Sequence, residues 1–446
     1  MSTLAALALS VSLTASLAPD VLSPRVAALV AAVEPARLEA TVARLVSFGT
    51  RNTLSDATSA TRGIGAARRW LASEAAALAA APGSRLQPFD DRFTTAPGPR
   101  IPRPVELWNV GVLLPGTDPA RSQEAIVLTG HYDSRASDVM NATGDAPGAD
   151  DDGSGVAMIL ELARVMARDR PAVSVYFVAV AGEEQGLFGS THLARRLVAE
   201  GVHVLAMASV DTVGNVVGQD GVRDDVAVRL FSEGVSTVET EAARKLREAV
   251  GGENDGLARE WARYVARVGT RYVDNLDFWV MLRRDRLARG SDHMSFSREG
   301  VGAIRVTEAH EHYDRQHQDP RVVAGRAYGD DLAHYDAAYG AKVGRGLLAA
   351  VATLAAAPAP VHDVVLGGAV SPDSRLRWTL PGDPRVAGVV LYRRRADSVT
   401  WQRATLHPRG DALVVRDLVP DSYVFAVATV DAEGNESLPA YPSRLE

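Results

Sequence analysis

Ala125-Ile126-Val127-Leu128-Thr129-Gly130-His131-Tyr132-Asp133-Ser134 is an apolar run that closes on a turn glycine and on side chains able to bind a cation. The run is short and bounded by turn residues, which predicts a strand buried on both faces. Two further segments repeat the plan. Pro147-Gly148-Ala149-Asp150-Asp151-Asp152-Gly153-Ser154-Gly155 leads into Val156, Ile159, Leu160, Ala163 and Val165-Met166, a spacing that predicts a helix through Arg168. Val173 to Val180 predicts the next strand, followed by Gly182-Glu183-Glu184-Gln185-Gly186-Leu187-Phe188-Gly189-Ser190. Strand, loop, helix, strand, loop is the grammar of an α/β sheet with crossover helices.

Working outward, Leu107 to Leu114 reads as a further strand ending in Pro115-Gly116, and Met207 to Val210 as one that runs into Asp211-Thr212-Val213-Gly214-Asn215. Upstream, Val26, Leu29, Val30 and Val33, then Leu38, Val42, Leu45 and Val46, recur at helical spacing, and a second helix runs from Gly63 to Leu78. The fold class is α/β, a mixed and mostly parallel sheet flanked by helices, over residues 24–357. Residues 222–287, rich in Asp, Glu and Arg around Trp261, Phe278 and Trp279, read as a helical insertion. Beyond Pro358-Ala359-Pro360 the texture changes. Arg375–Leu380, Val389–Tyr392, Leu413–Val415 and Tyr423–Val427 are short alternating runs separated by turns, which predicts a small all-β sandwich over 361–446.

The chain has 446 residues, enough for two domains, with 46% hydrophobic and 23% charged residues, close to globular averages. A net charge of −7 and no long basic run argue against nucleic acid or an anionic membrane as the main partner. Cysteine is absent, which excludes disulfides, thiolate catalysis and thiolate metal sites, so any metal must sit on His and carboxylates. No interior stretch reaches the roughly 18 uncharged apolar residues of a membrane span. At the amino terminus, Leu4 to Leu13 followed by Ser16-Leu17-Ala18-Pro19 has the apolar core and small-residue end of a leader over residues 1–18, without a positive start. Secretion or periplasmic export is the corresponding expectation; a frayed first helix is the alternative.

The chemistry gathers where predicted strands end. His131 and Asp133, Asp150 to Asp152, Glu183 and Glu184, and Asp211 all fall there. Ligands of open α/β sheets bind at the carboxyl ends of strands, so these segments converge on one rim. Carboxylates gathered in one partly buried site repel each other unless a cation separates them. A pair of divalent ions resolves that conflict, with zinc first among them for His and carboxylate donors, and cobalt or manganese as chemical substitutes.

The strings Gly148-Ala149-Asp150-Asp151-Asp152-Gly153-Ser154-Gly155 and Gly182-Glu183-Glu184-Gln185-Gly186-Leu187-Phe188-Gly189-Ser190 resemble those of the zinc exopeptidases of peptidase family M28, secreted bacterial aminopeptidases, over roughly Leu107 to His317. The resemblance implies two zinc ions bridged by Asp151. It puts His131 and Asp211 on one, and Glu184 with a later histidine on the other. Glu183 would be the catalytic carboxylate, Asp133 the group that orients the His131 imidazole, and Asp152 either the partner in a cis peptide or an ordinary helix cap. The family's Tyr-His-x-x-x-Asp stretch reads here Glu311-His312-Tyr313-Asp314-Arg315-Gln316-His317-Gln318-Asp319. Arg315, four before Asp319, cannot ligate, which leaves His317 as the expected fifth ligand with His312 and His310 behind it. Gly290-Ser291-Asp292-His293 matches another family string, giving Asp292 and His293 supporting or substrate-side roles. Trp378, Tyr423 and Asp431 to Ser437 in the β-rich region resemble a fibronectin type III domain, for which the sequence names no partner; an extension packed on the catalytic core is the alternative.

These roles imply an aminopeptidase acting on peptides with a free N-terminus. Water activated between the two ions attacks the terminal peptide bond, with Glu183 as general base and then acid. Three other readings stay open at this point. A glutaminyl cyclase would use one zinc. A carboxypeptidase-type relative would need a cationic clamp such as Arg283, Arg284 and Arg286. A catalytically dead adhesion protein would act through its β-sandwich alone.

Overall fold

The computed structural model describes residues 22–446, so the leader read at 1–18 lies outside the described residues. Two compact units are present, Leu22–Ala357 and Pro358–Glu446.

The first unit is built on eight strands: β1 (Gln87–Thr95), β2 (Val105–Leu114), β3 (Glu124–His131), β4 (Ser174–Val180), β5 (His203–Val210), β6 (Ala227–Ser232), β7 (Asp277–Met281) and β8 (Ala303–Glu308). They lie in the order β1-β2-β4-β3-β5-β8-β6-β7. The four central strands β4, β3, β5 and β8 run parallel, while β1, β2 and β6 join antiparallel to their inner neighbours and β7 lies parallel to β6. This is the mixed α/β sheet expected from the apolar runs. Val127, Leu128, Val178 and Ala208 are fully buried in its middle, each removing most of its apolar surface from water.

Helices α1 (Pro24–Ala31), α2 (Pro35–Val46), α3 (Gly63–Ala80), α4 (Gly153–Met166), α5 (Phe188–Ala199), α6 (Glu241–Val250), α7 (Leu257–Tyr272), α8 (His293–Ser297) and α9 (Ala337–Ala356) accompany the sheet. α1 and α2 each begin on a proline, whose fixed φ suits the first helical turn, and bury Val26 and Val30, or Leu38, Val42 and Leu45. α4 packs on β3, β4 and β5 and also against α2 and α9, which is why its apolar positions run all round. Residues 222–287, read from sequence as helical, hold α6 and α7 between two further strands, β6 and β7, that extend the sheet. A short hairpin, β9 (Arg321–Val323) with β10 (Arg326–Tyr328), follows His317.

Register decides where the site forms. His131 pairs with Val180, Thr129 with Ser209, and Val210 with Val306, so the carboxyl ends of β3, β4, β5 and β8 finish almost level. Gly130 is required by contact: a Cβ there would stand 2.7 Å from the Gly155 carbonyl carbon and 2.7 Å from Val156 N. That close approach presses the first turn of α4 against the end of β3 and carries the Asp150–Asp152 loop onto His131.

The second unit has, among its described residues, seven strands in two sheets. One sheet has the order β15 (Ala412–Val415), β12 (Ser374–Thr379), β11 (His362–Gly367), β17 (Arg444–Leu445); the other has β14 (Arg403–Pro408), β13 (Gly388–Arg395), β16 (Tyr423–Val430). Val364, Leu376 and Trp378 from the first sheet meet Val389, Leu391, Phe425 and Val427 from the second in one core, as alternation along the strands anticipated. Among the described residues no helix is long and apolar enough to cross a membrane.

Candidate metal centre

His131 is the last residue of β3, Glu183 and Glu184 follow β4, Asp211 follows β5, and His317 lies in the loop after β8. Asp151 arrives from the loop ahead of α4. These side chains form two groups of three donors, His131/Asp151/Asp211 and Asp151/Glu184/His317, whose ligand atoms all fall within 4.8 Å of one another in each group. Asp151 belongs to both. Its Oδ1 lies 3.2 Å from His131 Nε2, and its Oδ2 3.0 Å from His317 Nε2. His131 Nε2 is 3.9 Å from Asp211 Oδ2, and His317 Nε2 is 3.1 Å from Glu184 Oε1. Donors about 2.0–2.1 Å from a tetrahedral zinc ion lie about 3.3 Å apart, so these spacings fit a zinc-sized ion in each group. Glu184 Oε1 is buried and faces the His317 ring, an arrangement that a cation between the two would complete.

The charges point the same way. Burial opposes a proton on His131, yet Asp151, Asp152, Glu183 and Asp211 hold its pKa well above the usual value. Burial likewise works against charging His317, but Glu184 and Asp151 carry its pKa up to about 10. Between them the two imidazoles hold Asp151 well below the carboxylate range in spite of its burial. The positive charge that these carboxylates favour on the two imidazoles is charge that two cations would supply in its place.

Neighbouring groups pin the ligands to the backbone. The Asp151–Asp152 peptide is cis, and Asp152 also caps α4. The Asp152 carboxylate accepts N–H groups of His131 (2.9 Å), Gly155 (2.9 Å) and Thr212 (3.4 Å), tying three ligand-bearing segments together. Asp330 does the same from below, accepting the N–H groups of Asp150 and Asp151. Asp133 departs from the expected arrangement. The His131 ring faces the Asp133 backbone carbonyl at 3.0 Å, while the carboxylate is 3.8 Å away. That carboxylate instead accepts the N–H groups of Glu183 and Glu184 and the Thr53 hydroxyl, so it fixes the Glu183–Glu184 segment while the Asp133 carbonyl meets the imidazole. Asp292 is buried with neither oxygen paired, and burial pushes its pKa up to about 7. His293 sends Nε2 to the Arg284 carbonyl at 2.8 Å, fixing the loop ahead of α8.

Of the alternative histidines, His310 faces Asp224 and Trp279, and His312 lines a small cavity with Asp150, Glu308, Arg315 and Asp330. Neither joins the donor groups. Sequence reasoning missed two arginines with no exposure. Arg51 donates to the carbonyls of Tyr132, Pro147 and Gly148, and Arg305 donates to Asp211 Oδ1 at 2.8 Å. Arg305 had a visible signal, a charge between Ile304 and Val306 in an apolar strand; Arg51 had none.

Residues 109–330 match the description "Peptidase family M28". A probable zinc metalloprotease of Leptosphaeria maculans is 39% identical over 418 residues, covering 93% of this chain and 96% of that protein. The chain belongs to peptidase family M28. Another probable zinc metalloprotease, from Pyricularia oryzae, is 40% identical over 422 residues, covering 92% of this M28 chain and 82% of the relative. Among solved structures, the LapA aminopeptidase of Legionella pneumophila aligns with a TM-score of 0.53 at 20% identity, covering 78% of each chain. An aminopeptidase from Aneurinibacillus aligns with a TM-score of 0.50 at 15% identity, over 75% of this chain and 97% of its own. At such identities these likenesses are likenesses of fold.

Proposed function

We propose that this chain is a zinc-dependent aminopeptidase that removes residues from the free N-terminus of peptides, with Glu183 as general base and acid. The observation that carries the reading is the pair of donor groups arranged about the two oxygens of Asp151. In this reading His131, Asp151 and Asp211 hold one zinc ion, and Asp151, Glu184 and His317 a second. The relatives' description as zinc metalloproteases supports the choice of metal. Such ions, when bound, acidify water and polarise the scissile carbonyl.

Glu183 takes the proton from the attacking water and delivers it to the leaving nitrogen. Burial, then the charges of Glu184, Asp292 and Asp211, raise its pKa well above the usual carboxylate range, which suits a group that must both accept and release a proton. Asp133 holds the backbone N–H of Glu183 and so sets where the carboxylate starts. The surplus of carboxylates about the centre favours a cationic substrate terminus, which is the reason to expect cleavage at a free amine. The same reading takes residues 24–357 as the catalytic domain, 361–446 as a fibronectin type III-like domain, and 1–18 as a leader for secretion or periplasmic export.

The test is hydrolysis of a panel of aminoacyl-nitroanilides and their N-acetylated counterparts, with metal analysis on the same sample. Turnover restricted to free amines, with two ions per chain, is expected. Equal cleavage of the blocked compounds, or cyclisation of N-terminal glutamine peptides at one ion per chain, would sink the reading.

A further inference from the structure

The loop from β7 to α8 carries Arg283, Arg284, Arg286 and Arg289, and two of these turn inward. Arg286 Nη1, Arg289 Nη1 and Arg229 Nη2 all bond the buried Glu311 carboxylate, at 3.0, 2.7 and 2.8 Å. Three guanidinium charges on one carboxylate leave an excess that Asp285, 3.3 Å from Arg286 Nε, offsets only in part. Arg305, the next arginine, is already matched to Asp211. The remaining valences can be followed nitrogen by nitrogen. Arg289 places Nη2 on Gln316, and Arg229 places Nε on the Glu308 carbonyl. Arg286 Nη2 alone of these terminal groups on Arg286 has no hydrogen-bond partner among the described residues, although the side chain is only 9% exposed.

Arg286 also stands beside the metal centre. On one side the chain of contacts runs through Glu311, Arg289 and Gln316 to the neighbour of His317; on the other it runs through Asp285 and Arg305 to Asp211. Of the charges acting on Arg286, that of Asp211 is the largest, ahead of Glu311, to which it is bonded. Cations on Asp211 and Asp151 would cancel that attraction and leave the Arg286 charge without its balance beside the centre. The loop is also held in place: Arg283 O accepts Ser232 N–H at 2.9 Å and Arg284 O faces His293 Nε2 at 2.8 Å. A guanidinium fixed in this way is set to recognise a planar anion with little ordering on binding.

We propose that Arg286 binds a carboxylate of the substrate next to the cut, so that the centre selects peptides with an acidic first residue or with a free carboxyl terminus one residue beyond the scissile bond. The inference rests on the reading of the centre as the peptide-cleaving site. Both sources offer the same chemistry, and the experiment separates them.

The zinc-loaded protein is assayed on glutamyl- against glutaminyl-nitroanilide, and on leucyl-glycine against leucyl-glycinamide. A preference of about tenfold or more for the carboxylate in one of these pairs is expected, since a site built around a charged hydrogen bond rejects the neutral isostere. In Arg286→Gln that ratio falls to about one, and in Arg286→Lys part of it returns. Circular dichroism and metal content of each variant report whether the fold and the centre are kept. Calorimetry with free glutamate and glutamine supplies a reading that needs no turnover: the wild type favours glutamate, and Arg286→Gln does not. If no aminoacyl-nitroanilide is cleaved but the glutamate preference persists and is lost in Arg286→Gln, the peptidase reading fails and what remains is a carboxylate site at Arg286, without the role in peptide selection. No carboxylate preference in any pair, or a ratio unchanged in Arg286→Gln, overturns the inference.

Discussion

Two buried carboxylate clusters meet at one peptide bond. Asp151, Glu184 and Asp211 face His131 and His317, whereas Asp150, Glu308 and Asp330 face Arg315 and a set of backbone N–H groups. Asp150 and Asp151 are adjacent in sequence, yet they belong to opposite chemistries. In the first cluster each carboxylate has an oxygen within 3.9 Å of an imidazole nitrogen, a group that can itself ligate a cation, although Asp211 also accepts from Ser291 and Arg305. In the second, Gly214 and Asn215 donate to Asp150 and Glu308, and Asp330 accepts from Asp150 and Asp151, so the lone pairs are already in use. Burial drives Asp150 to about 6 and, together with the charge on Asp150, carries Glu308 well above its usual range. His312 and His334 line the same cavity, but among the described residues no three donor atoms there come within 4.8 Å of one another. Crowding of buried acids is therefore not what makes a metal site. What matters is whether an imidazole able to ligate stands among those acids at ligand spacing.

The comparison breaks most sharply at the shared bond. Asp151→Ala is expected to lose metal from both groups and activity with it, whereas Asp150→Asn keeps metal content within about twofold, read by elemental analysis after dialysis. Equal metal loss in the two variants would erase the distinction. Next, Glu183→Gln should lower kcat by about a thousandfold or more with metal content unchanged, because it removes a proton carrier and no ligand; activity near wild type would remove Glu183 from the mechanism. Arg315→Met should cost about 1–3 kcal/mol in urea unfolding at pH 7, discounted for the partial exposure of Arg315, while leaving metal affinity in place.

An effect of similar size concerns pH. Arginines 286, 229 and 289 overcome burial and hold Glu311 at about 2, below its usual value near 4.5. A depressed carboxylate adds stability that is complete above about 4.5 and is lost as pH falls toward 2. The stability gap between wild type and Glu311→Gln should thus close between pH 5 and pH 2.5, by roughly 2 kcal/mol. A gap independent of pH would mean that shape and not charge holds Glu311.

The central sheet was legible because strands buried on both faces are continuous apolar runs, as at Ala125–Thr129 and Val173–Val180. The edge strand β1 was not. Its Phe89-Asp90-Asp91-Arg92-Phe93 looks polar, and Asp91 is buried only because Asn109, His192 and Arg196, far off in the chain, bind it. The strands β6 and β7 escaped for a related reason, lying among helices with more charge. In the site, the donors announce themselves through local strings of acids and glycines. Of the groups that hold them, Arg51 and Asp330 act across long sequence separations and leave no local mark, while Arg305 shows only as a charge inside an apolar strand; the choice among His310, His312 and His317 turned on a loop conformation that spacing alone does not contain. His317 itself sits at φ 54°, in the left-handed region, where few sequence signals point.

The Asp152 carboxylate has a consequence of its own. By gathering the amides of His131, Gly155 and Thr212 it joins three segments of the centre through hydrogen bonds that do not run through a metal ion. The more of the site's order that these bonds carry, the less of an ion's binding energy goes into ordering polypeptide. Chelation should accordingly behave as a reversible subtraction. The emptied protein would wait, folded, for the next ion, and the identity of the metal would be decided by supply and ligand chemistry at a centre already shaped to receive it.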